Sequence, residues 1–115
     1  YALQKIKLDK DSSLAYLALS NEELIKFNYK KGDSEGFVNF CLSIKNINNA
    51  VFLREDKGLI KISFRSKGAV KVNEFANKFY GGGGHENAAG AAVESIDLES
   101  VTLKLIENFR SFCLD

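Results

Sequence analysis

The chain has 115 residues, of which 45% are hydrophobic and 27% are charged. This length and composition predict one soluble folded domain and exclude a disordered chain, which would contain fewer apolar residues. Because 16 Lys and Arg stand against 15 Asp and Glu, there is no overall basic field for nonspecific binding to duplex nucleic acid, and any anion site has to be local.

The start of the chain, its apolar runs and its cysteines indicate where the protein is found in the cell. The chain begins at Tyr1 and contains no Met, from which we expect a piece of a longer polypeptide. No apolar run approaches the roughly 20 residues that a membrane helix needs, and no apolar leader opens the chain, so we expect a cytoplasmic protein. Cys41 and Cys113 lie among apolar neighbours, which predicts two buried thiols in a reducing compartment.

The first thirty residues predict a hairpin and a short helix. Loose alternation over residues 4–9 and an apolar run over residues 14–19 flank a turn at residues 11–13, which is typical of two paired strands. Ser20 and Glu23 have the Ser-x-x-Glu spacing of a capping box. We expect a helix to begin there.

The middle of the chain predicts a helix and a second hairpin. A polar stretch at residues 29–36 indicates a loop, and the helix that follows is expected to end near residues 46–49. Apolar runs at residues 50–53 and 59–64 flank a turn at residues 54–58, and the second run alternates as a strand does. The apolar residues of the helix fall at helical spacing and are Phe37, Phe40, Cys41 and Ile44.

The last third of the chain predicts a helix, a strand and a final helix. Val72, Phe75, Ala76 and Phe79 mark one helical face, and Gly81 can take the left-handed conformation that ends a helix. Small residues at 90–94 suit a strand, and Asp97 can cap the last helix. Strands and helices interleave, so the expected fold class is α/β (α+β), with helices packed on a mixed β-sheet in a single domain.

Four consecutive glycines, residues 81–84, end at His85, the only histidine in the sequence. Ordering such a run costs much conformational entropy, which a ligand can offset. Uncovered backbone amides can cradle a phosphate, and an imidazole can donate to a phosphate oxygen. A flexible tether with an idle histidine is an equal alternative here, because a glycine run is not the spaced fingerprint of a dinucleotide or P-loop site.

A second candidate lies just after residues 59–64, where Arg65, Ser66 and Lys67 follow one another. We expect Arg65 to point from the sheet edge as a phosphate donor, with a surface ion pair as the alternative for this residue taken singly. One histidine with no acidic cluster near it predicts no catalytic metal site, and no motif indicates a nucleophilic serine or cysteine. We therefore expect that this chain alone is not a complete enzyme.

The second half contains three distinctive stretches. They are Ile-Ser-Phe-Arg-Ser-Lys-Gly at residues 62–68, Val-Asn-Glu-Phe-Ala at residues 72–76 and Phe-Tyr-Gly-Gly-Gly-Gly-His-Glu-Asn-Ala-Ala-Gly-Ala at residues 79–91. Together they resemble the C-terminal, DHH-associated domain of the DHH phosphoesterase superfamily, in wording closest to the oligoribonuclease (nano-RNase) and adenosine bisphosphate phosphatase branch. Residues 1–115 are thus expected to form this substrate-binding domain, with the less distinctive residues 1–31 as the join to an N-terminal catalytic DHH domain.

The resemblance implies a hydrolase whose N-terminal domain holds two manganese ions while this domain binds the terminal nucleotide. By position, Arg65 and Ser66 would hold phosphate or base, the glycines would offer amides and His85 would contact the phosphate; Asn87 is a weaker inclusion that could cap the loop instead. The family's metal ligands are absent from this sequence, so no catalytic residue is assigned. The implied binding residues are Arg65, Ser66, Gly81, Gly82, Gly83, Gly84, His85 and Asn87.

The implied function is binding of the nucleotide phosphate in an enzyme that hydrolyses short oligoribonucleotides and adenosine bisphosphate (pAp). Cyclic dinucleotide phosphodiesterases and single-strand exonucleases of the superfamily are alternatives. So is a noncatalytic nucleic-acid-binding module, as in alanyl-tRNA synthetases, or a dimerisation domain with an idle glycine loop. The expected partners are short RNA or a nucleotide phosphate and the DHH catalytic domain. A homodimer is left open, and no membrane partner is expected.

Overall fold

Six strands form one mixed β-sheet in the computed structural model, which describes residues 5–30 and 32–114. The strands are β1 (Lys7–Asp9), β2 (Leu14–Leu19), β3 (Asn49–Asp56), β4 (Leu59–Ser66), β5 (Gly83–His85) and β6 (Ala88–Glu94). The α-helices are α1 (Asn21–Lys26), α2 (Asp33–Leu42), α3 (Val72–Tyr80) and α4 (Leu98–Leu114). Across the sheet the order is β1-β2-β3-β4-β6-β5. Only β2 and β3 pair in parallel among the described strands, which confirms the predicted α/β class with a mixed sheet in a single domain.

Hydrophobic cores lie on both faces of the sheet. Helices α3 and α4 cover one face, where Phe64, Phe75 and Phe109 are fully buried. Helices α1 and α2 cover part of the other face, where Phe37 of α2 packs against Phe52 of β3. Burial of each such side chain contributes roughly 1.5–3 kcal/mol. Because strand side chains alternate, the even-numbered residues of β4 are buried toward α3 and α4, and its odd-numbered residues lie on the α1 and α2 side.

The predicted N-terminal hairpin and capping box are confirmed. Strand β1 pairs antiparallel with β2, while residue 4, the predicted start of the first strand, lies outside the described residues. Ser20 Oγ accepts from the Glu23 amide at 3.2 Å, and Glu23 Oε1 accepts from the Ser20 amide at 2.9 Å. Residues 7–26 thus belong to the same sheet and its covering layer. Their further role as a join to another domain stays a prediction.

Helix α2 begins and ends earlier than the sequence predicts. It starts at Asp33, inside the predicted loop, where the Asp33 carboxylate accepts from the Lys30 amide at 2.8 Å. Acidic residues in a first turn are favoured by the helix dipole. The helix ends at Leu42 rather than near residues 46–49. At this end the hydroxyl and the amide of Ser43 both donate to the Phe40 carbonyl. Phe40, assigned to the apolar face, is 45% exposed.

The second hairpin is longer than predicted. Strands β3 and β4 extend into the segment assigned to a turn, and only Lys57 and Gly58 separate them. Both residues have positive φ, +52° and +84°, which suits the tight two-residue turn that matches strand twist. Strand β6 likewise begins at Ala88, two residues before its predicted start. The end of α3 at Gly81 and the start of α4 after Asp97 agree with the prediction.

The two cysteines differ in environment, although both were expected to be buried. Cys41 is buried, and that burial raises the pKa of its thiol to about 11. Cys113 is exposed, which corrects the prediction, because Phe109 and Phe112 take the core-facing side of α4. Both thiols are free. In the described part of the chain, no helix has the length and apolar character to span a bilayer.

Candidate functional site

The glycine run is not an open loop, contrary to the sequence prediction. Gly83–His85 form the edge strand β5, which pairs with β6. Gly81 ends α3 with φ +66°, and the amides of Gly81 and Gly82 donate to the carbonyls of Asn77 and Ala76. Most of the segment is therefore paired backbone. Donation by Gly81 or Gly82 to a ligand stays a prediction that would require these bonds to open.

The glycines are needed for different reasons. A Cβ on Gly82 would lie 2.2 Å from the Gly90 carbonyl oxygen. A Cβ on Gly84 would lie 2.5 Å from the Ala88 carbonyl oxygen, at a φ of +149°. Both residues are required by close approach of two backbones. A Cβ on Gly83 would have no atom within 4 Å, and Gly83 does not have the positive φ that favours glycine. No contact in the fold therefore accounts for its missing side chain.

Strand register brings the two candidate segments onto one face of the sheet. Arg65 on β4 pairs with Ala88 on β6, and Ala88 pairs with His85 on β5. Opposed residues of antiparallel strands share a face, and two strand spacings separate the outer Cα atoms by roughly 10 Å. Arg65 therefore lies in an interior strand and not at a sheet edge as predicted. A second row runs beside the first, and together they define the exposed sheet surface: Ser63, Arg65, Gly83, His85, Ala88 and Gly90.

The exposed sheet surface is open where it crosses β6 and β5. Gly83, His85 and Gly90 are exposed, and Ala88 is partly buried. Helices α1 and α2 pack over β2 and β3, and α2 reaches only as far as β4. The opposite side of β6 is covered, since Ala89 is 7% exposed beneath the α3 layer. Another molecule or domain can therefore approach the backbone on this face.

The Arg65 guanidinium is held in place by two contacts. Its Nη2 donates to Glu35 Oε2 at 2.6 Å, and its Nη1 donates to the Phe64 carbonyl at 2.9 Å. The ion pair considered as the alternative for this residue is thus present. A guanidinium has five N–H donors, so three remain for an anion. Lys67 is engaged elsewhere, with its Nζ donating to the Leu42 carbonyl at the end of α2 at 2.6 Å.

Ser66 and Asn87 are already paired with each other. Ser66 is 5% exposed and faces the side opposite Arg65, because adjacent strand residues alternate. Its hydroxyl donates to the Val70 carbonyl and accepts from Asn87 Nδ2, each at 2.8 Å. The predicted cluster of adjacent phosphate donors at Arg65, Ser66 and Lys67 is therefore not formed. Contact of Ser66 or Asn87 with substrate stays a prediction.

A metal site was not expected in this chain. Within residues 5–30 and 32–114, no three His, Cys, Asp or Glu side chains are grouped so that they could hold a metal ion. The two manganese ions that the resemblance implies would be held by a DHH domain, and the described residues of this chain offer no site for them.

Two recesses lie outside the row of Arg65 and His85, and one of them borders the exposed sheet surface at Gly83. One of about 800 Å³ lies beside α1 and α2 and is lined mainly by apolar residues, among them Phe27, Phe37 and Phe40. The helical spacing of Phe37 and Phe40 was the only sequence signal for it. Another of about 550 Å³ lies between α3 and β5. It is lined by residues 82–84 of the glycine run, and Glu74 and Lys78 bring both charge signs. Neither recess contains Arg65 or His85.

Known proteins share this domain. The DHHA1 domain family matches residues 11–111. The bifunctional oligoribonuclease and PAP phosphatase NrnA of Thermus thermophilus is 37% identical over 78 residues, covering 68% of this chain and 24% of that protein. The protein of the same name from Bacillus subtilis is 33% identical over 97 residues, covering 84% and 30%. The crystal structure of an exopolyphosphatase-related protein from Bacteroides fragilis matches all of this chain and 34% of its own, with a TM-score of 0.84 and 44% identity. The chain thus spans about a quarter to a third of these relatives.

Proposed function

The chain belongs to the DHHA1 domain family, and on that premise we propose that it is the substrate-binding domain of a metal-dependent phosphoesterase acting on short oligoribonucleotides and adenosine bisphosphate. The names of two curated relatives describe these two activities for those proteins. Since the chain spans 24% and 30% of them, hydrolysis belongs to the longer polypeptide. The role proposed for this chain is binding and orientation of the nucleotide.

The alignment of Arg65 and His85 across Ala88 is the observation that supports the proposal. A planar guanidinium suits a phosphate through paired hydrogen bonds, and an imidazole can donate to another oxygen of the same group. The bare backbone at Gly83 and Gly90 lets the ligand approach the sheet. A phosphate between the two side chains would therefore meet donors from both ends of one row of residues.

Charge favours a short ligand. The formal net charge is +1, and Glu35 lies against the one arginine of the exposed sheet surface. A long single strand is held by an extended basic groove and shows strong salt dependence. A local pair of donors is better matched to one terminal phosphate.

Orientation is the contribution proposed for these residues. Holding a phosphate in a productive geometry lowers the entropic barrier of the later step. Manganese bound by the DHH domain would supply an activated water there. Arg65 and His85 would fix the nucleotide against that domain.

Nuclear magnetic resonance titration of the chain with adenosine bisphosphate and with a diadenylate tests the proposal. We expect joint, saturable shifts at Arg65 and at Gly83 to His85. Arg65→Lys keeps the positive charge and removes the planar guanidinium. Arg65→Lys and His85→Ala should each weaken binding by roughly 10- to 100-fold, since a charged hydrogen bond contributes about 1.5–3 kcal/mol. Lys104→Ala, on the far layer and 65% exposed, is the matched charge control.

The same titration distinguishes the alternatives. A cyclic dinucleotide that binds more tightly than the diadenylate would assign the chain to a different branch, and a preference for long single-stranded DNA would indicate an exonuclease or a binding module. If His85→Ala in the intact polypeptide left both substrate affinity and turnover unchanged, the role proposed for His85 would be wrong.

A further inference from the structure

Hydrogen bonds tie the tip of the β5–β6 hairpin to two other elements. Asn87 Nδ2 donates to Ser66 Oγ at 2.8 Å, and the Ser66 amide donates to the Asn87 carbonyl at 3.0 Å. The Ser66 hydroxyl continues to the Val70 carbonyl at 2.8 Å. The Val72 amide, at the start of α3, donates to the Glu86 carbonyl at 2.8 Å. These four bonds, which we call the hairpin clamp, join the turn to the end of β4 and to α3.

Strand β5 also pairs with β6 and contacts α3, but it is short and exposed. It is three residues long, all three are exposed, and two of them are glycines. It is an edge strand, so one side of its backbone has no neighbouring strand. His85 is its last residue and immediately precedes the clamped turn. The backbone position of His85 is therefore set by pairing with β6, by contact of β5 with α3 and by the hairpin clamp.

From this arrangement we infer that Ser66 and Asn87 are positioning residues, which hold His85 in line with Arg65 for the ligand phosphate. The inference rests on the proposed function. It differs from the direct contact that the sequence resemblance implies for the same two residues, because Ser66 is 5% exposed and Asn87, although exposed, already uses its Nδ2 to bond Ser66. Both act through His85 and not on the nucleotide.

Preorganisation is the physical reason for the effect. Without the Asn87 side-chain amide, the turn loses its side-chain hydrogen bond to Ser66 Oγ. The hairpin tip then samples more conformations before binding, and binding has to order it again. Loss of one such hydrogen bond should weaken the affinity for adenosine bisphosphate by about two- to tenfold.

A double-mutant cycle tests the inference on the 115-residue chain. Isothermal titration with adenosine bisphosphate is carried out on wild type, Asn87→Ala, His85→Ala and the double variant. We expect Asn87→Ala to weaken binding alone and to have no further effect when His85 is already alanine, since residues acting through one another are not additive. Amide exchange at His85 should also become faster in Asn87→Ala.

Three further variants keep the test independent of folding. Asn21→Ala, at an exposed position on α1, is the matched control and should bind as wild type does. Ser66→Ala should repeat the effect of Asn87→Ala, whereas Ser66→Thr retains the hydroxyl and should restore affinity. Urea unfolding of each variant shows that it is folded under the titration conditions.

The outcomes separate this inference from the proposed function. Equal losses from Asn87→Ala with and without His85 would mean that Asn87 contacts the ligand directly, and the inference would be wrong. It would also be wrong if His85→Ala weakened binding and Asn87→Ala did not. If neither Arg65→Lys nor His85→Ala weakened binding, the proposed function would fail, and this inference would fall with it.

Discussion

Alanine substitutions at the adjacent Gly82 and Gly83 should differ in their effect on stability. At Gly82 the new Cβ would lie 2.2 Å from the Gly90 carbonyl oxygen and 2.7 Å from Ala91 Cβ. Crowding of this kind costs about 1–3 kcal/mol. At Gly83 nothing lies within 4 Å, so the substitution mainly restricts the unfolded chain and stabilises by about 0.4–1 kcal/mol. That gain is common to both variants, so their free energies of unfolding should differ by about 1–3 kcal/mol.

Urea unfolding followed by circular dichroism measures this difference, and titration with adenosine bisphosphate measures binding. Gly83→Ala places a methyl group on the exposed sheet surface and should weaken binding while the fold becomes more stable. Gly36→Ala is the control. Gly36 lies in α2, and a Cβ added there would also have no atom within 4 Å. The substitution should stabilise the chain by about 1 kcal/mol without changing affinity.

Two results would contradict these expectations. Equal stability of Gly82→Ala and Gly83→Ala would show that Gly82, the residue before β5, is not packed against β6 as described. Unchanged affinity in Gly83→Ala would show that the ligand does not lie over the row that contains Gly83 and Gly90.

Three other results are expected. Arg110 donates to both carboxylate oxygens of Asp9, at 2.6 and 3.0 Å, so Asp9→Asn should lower the free energy of unfolding by about 1.5–3 kcal/mol, measured in urea. Those bonds hold the pKa of Asp9 below its ordinary value of 3.8; their stabilisation is complete at neutral pH and lost as the pH falls through the folded-state pKa, a loss that Asp9→Asn should lack in unfolding midpoints measured against pH. Exposed Cys113 should react with iodoacetamide at neutral pH in the folded chain, and Cys41 only after unfolding, as mass spectrometry can show. Ser20→Ala should lower the urea midpoint by an amount corresponding to about 1 kcal/mol, and an unchanged midpoint would contradict the role of the capping box.

Local signals predicted the elements that depend on neighbouring residues. The capping box at Ser20, the left-handed end of α3 at Gly81 and the cap at Asp97 were all predicted from the sequence, because each needs only residues within one helical turn. Amphipathic spacing located α3 and α4 for the same reason. Helix α2 was displaced because its first turn is polar and lacks the apolar spacing on which the prediction relied.

The candidate site was predicted in composition and not in geometry. The glycine run and Arg65 were identified as candidates from residue chemistry, and the resemblance to a known family assigned them to one site. Strand β5 was missed, since glycine has no side chain from which an alternation can be recognised. Arg65 was placed at a sheet edge because nothing near it in the sequence shows that β6 pairs beside β4. Ser66 was grouped with Arg65, although strand alternation turns the two toward opposite faces.

The sequence alone therefore determined the α/β class and several helix and strand ends, because these follow from local conformational preference. It also proposed residues for phosphate binding from their chemistry, and that role stays a prediction. Only the tertiary structure decided that Arg65 and His85 share one row of the sheet and that Asn87 is bonded to Ser66. The physical reason is that strand order and register depend on packing between residues far apart in the chain. Two apolar cores, one on each face of the sheet, select that register together.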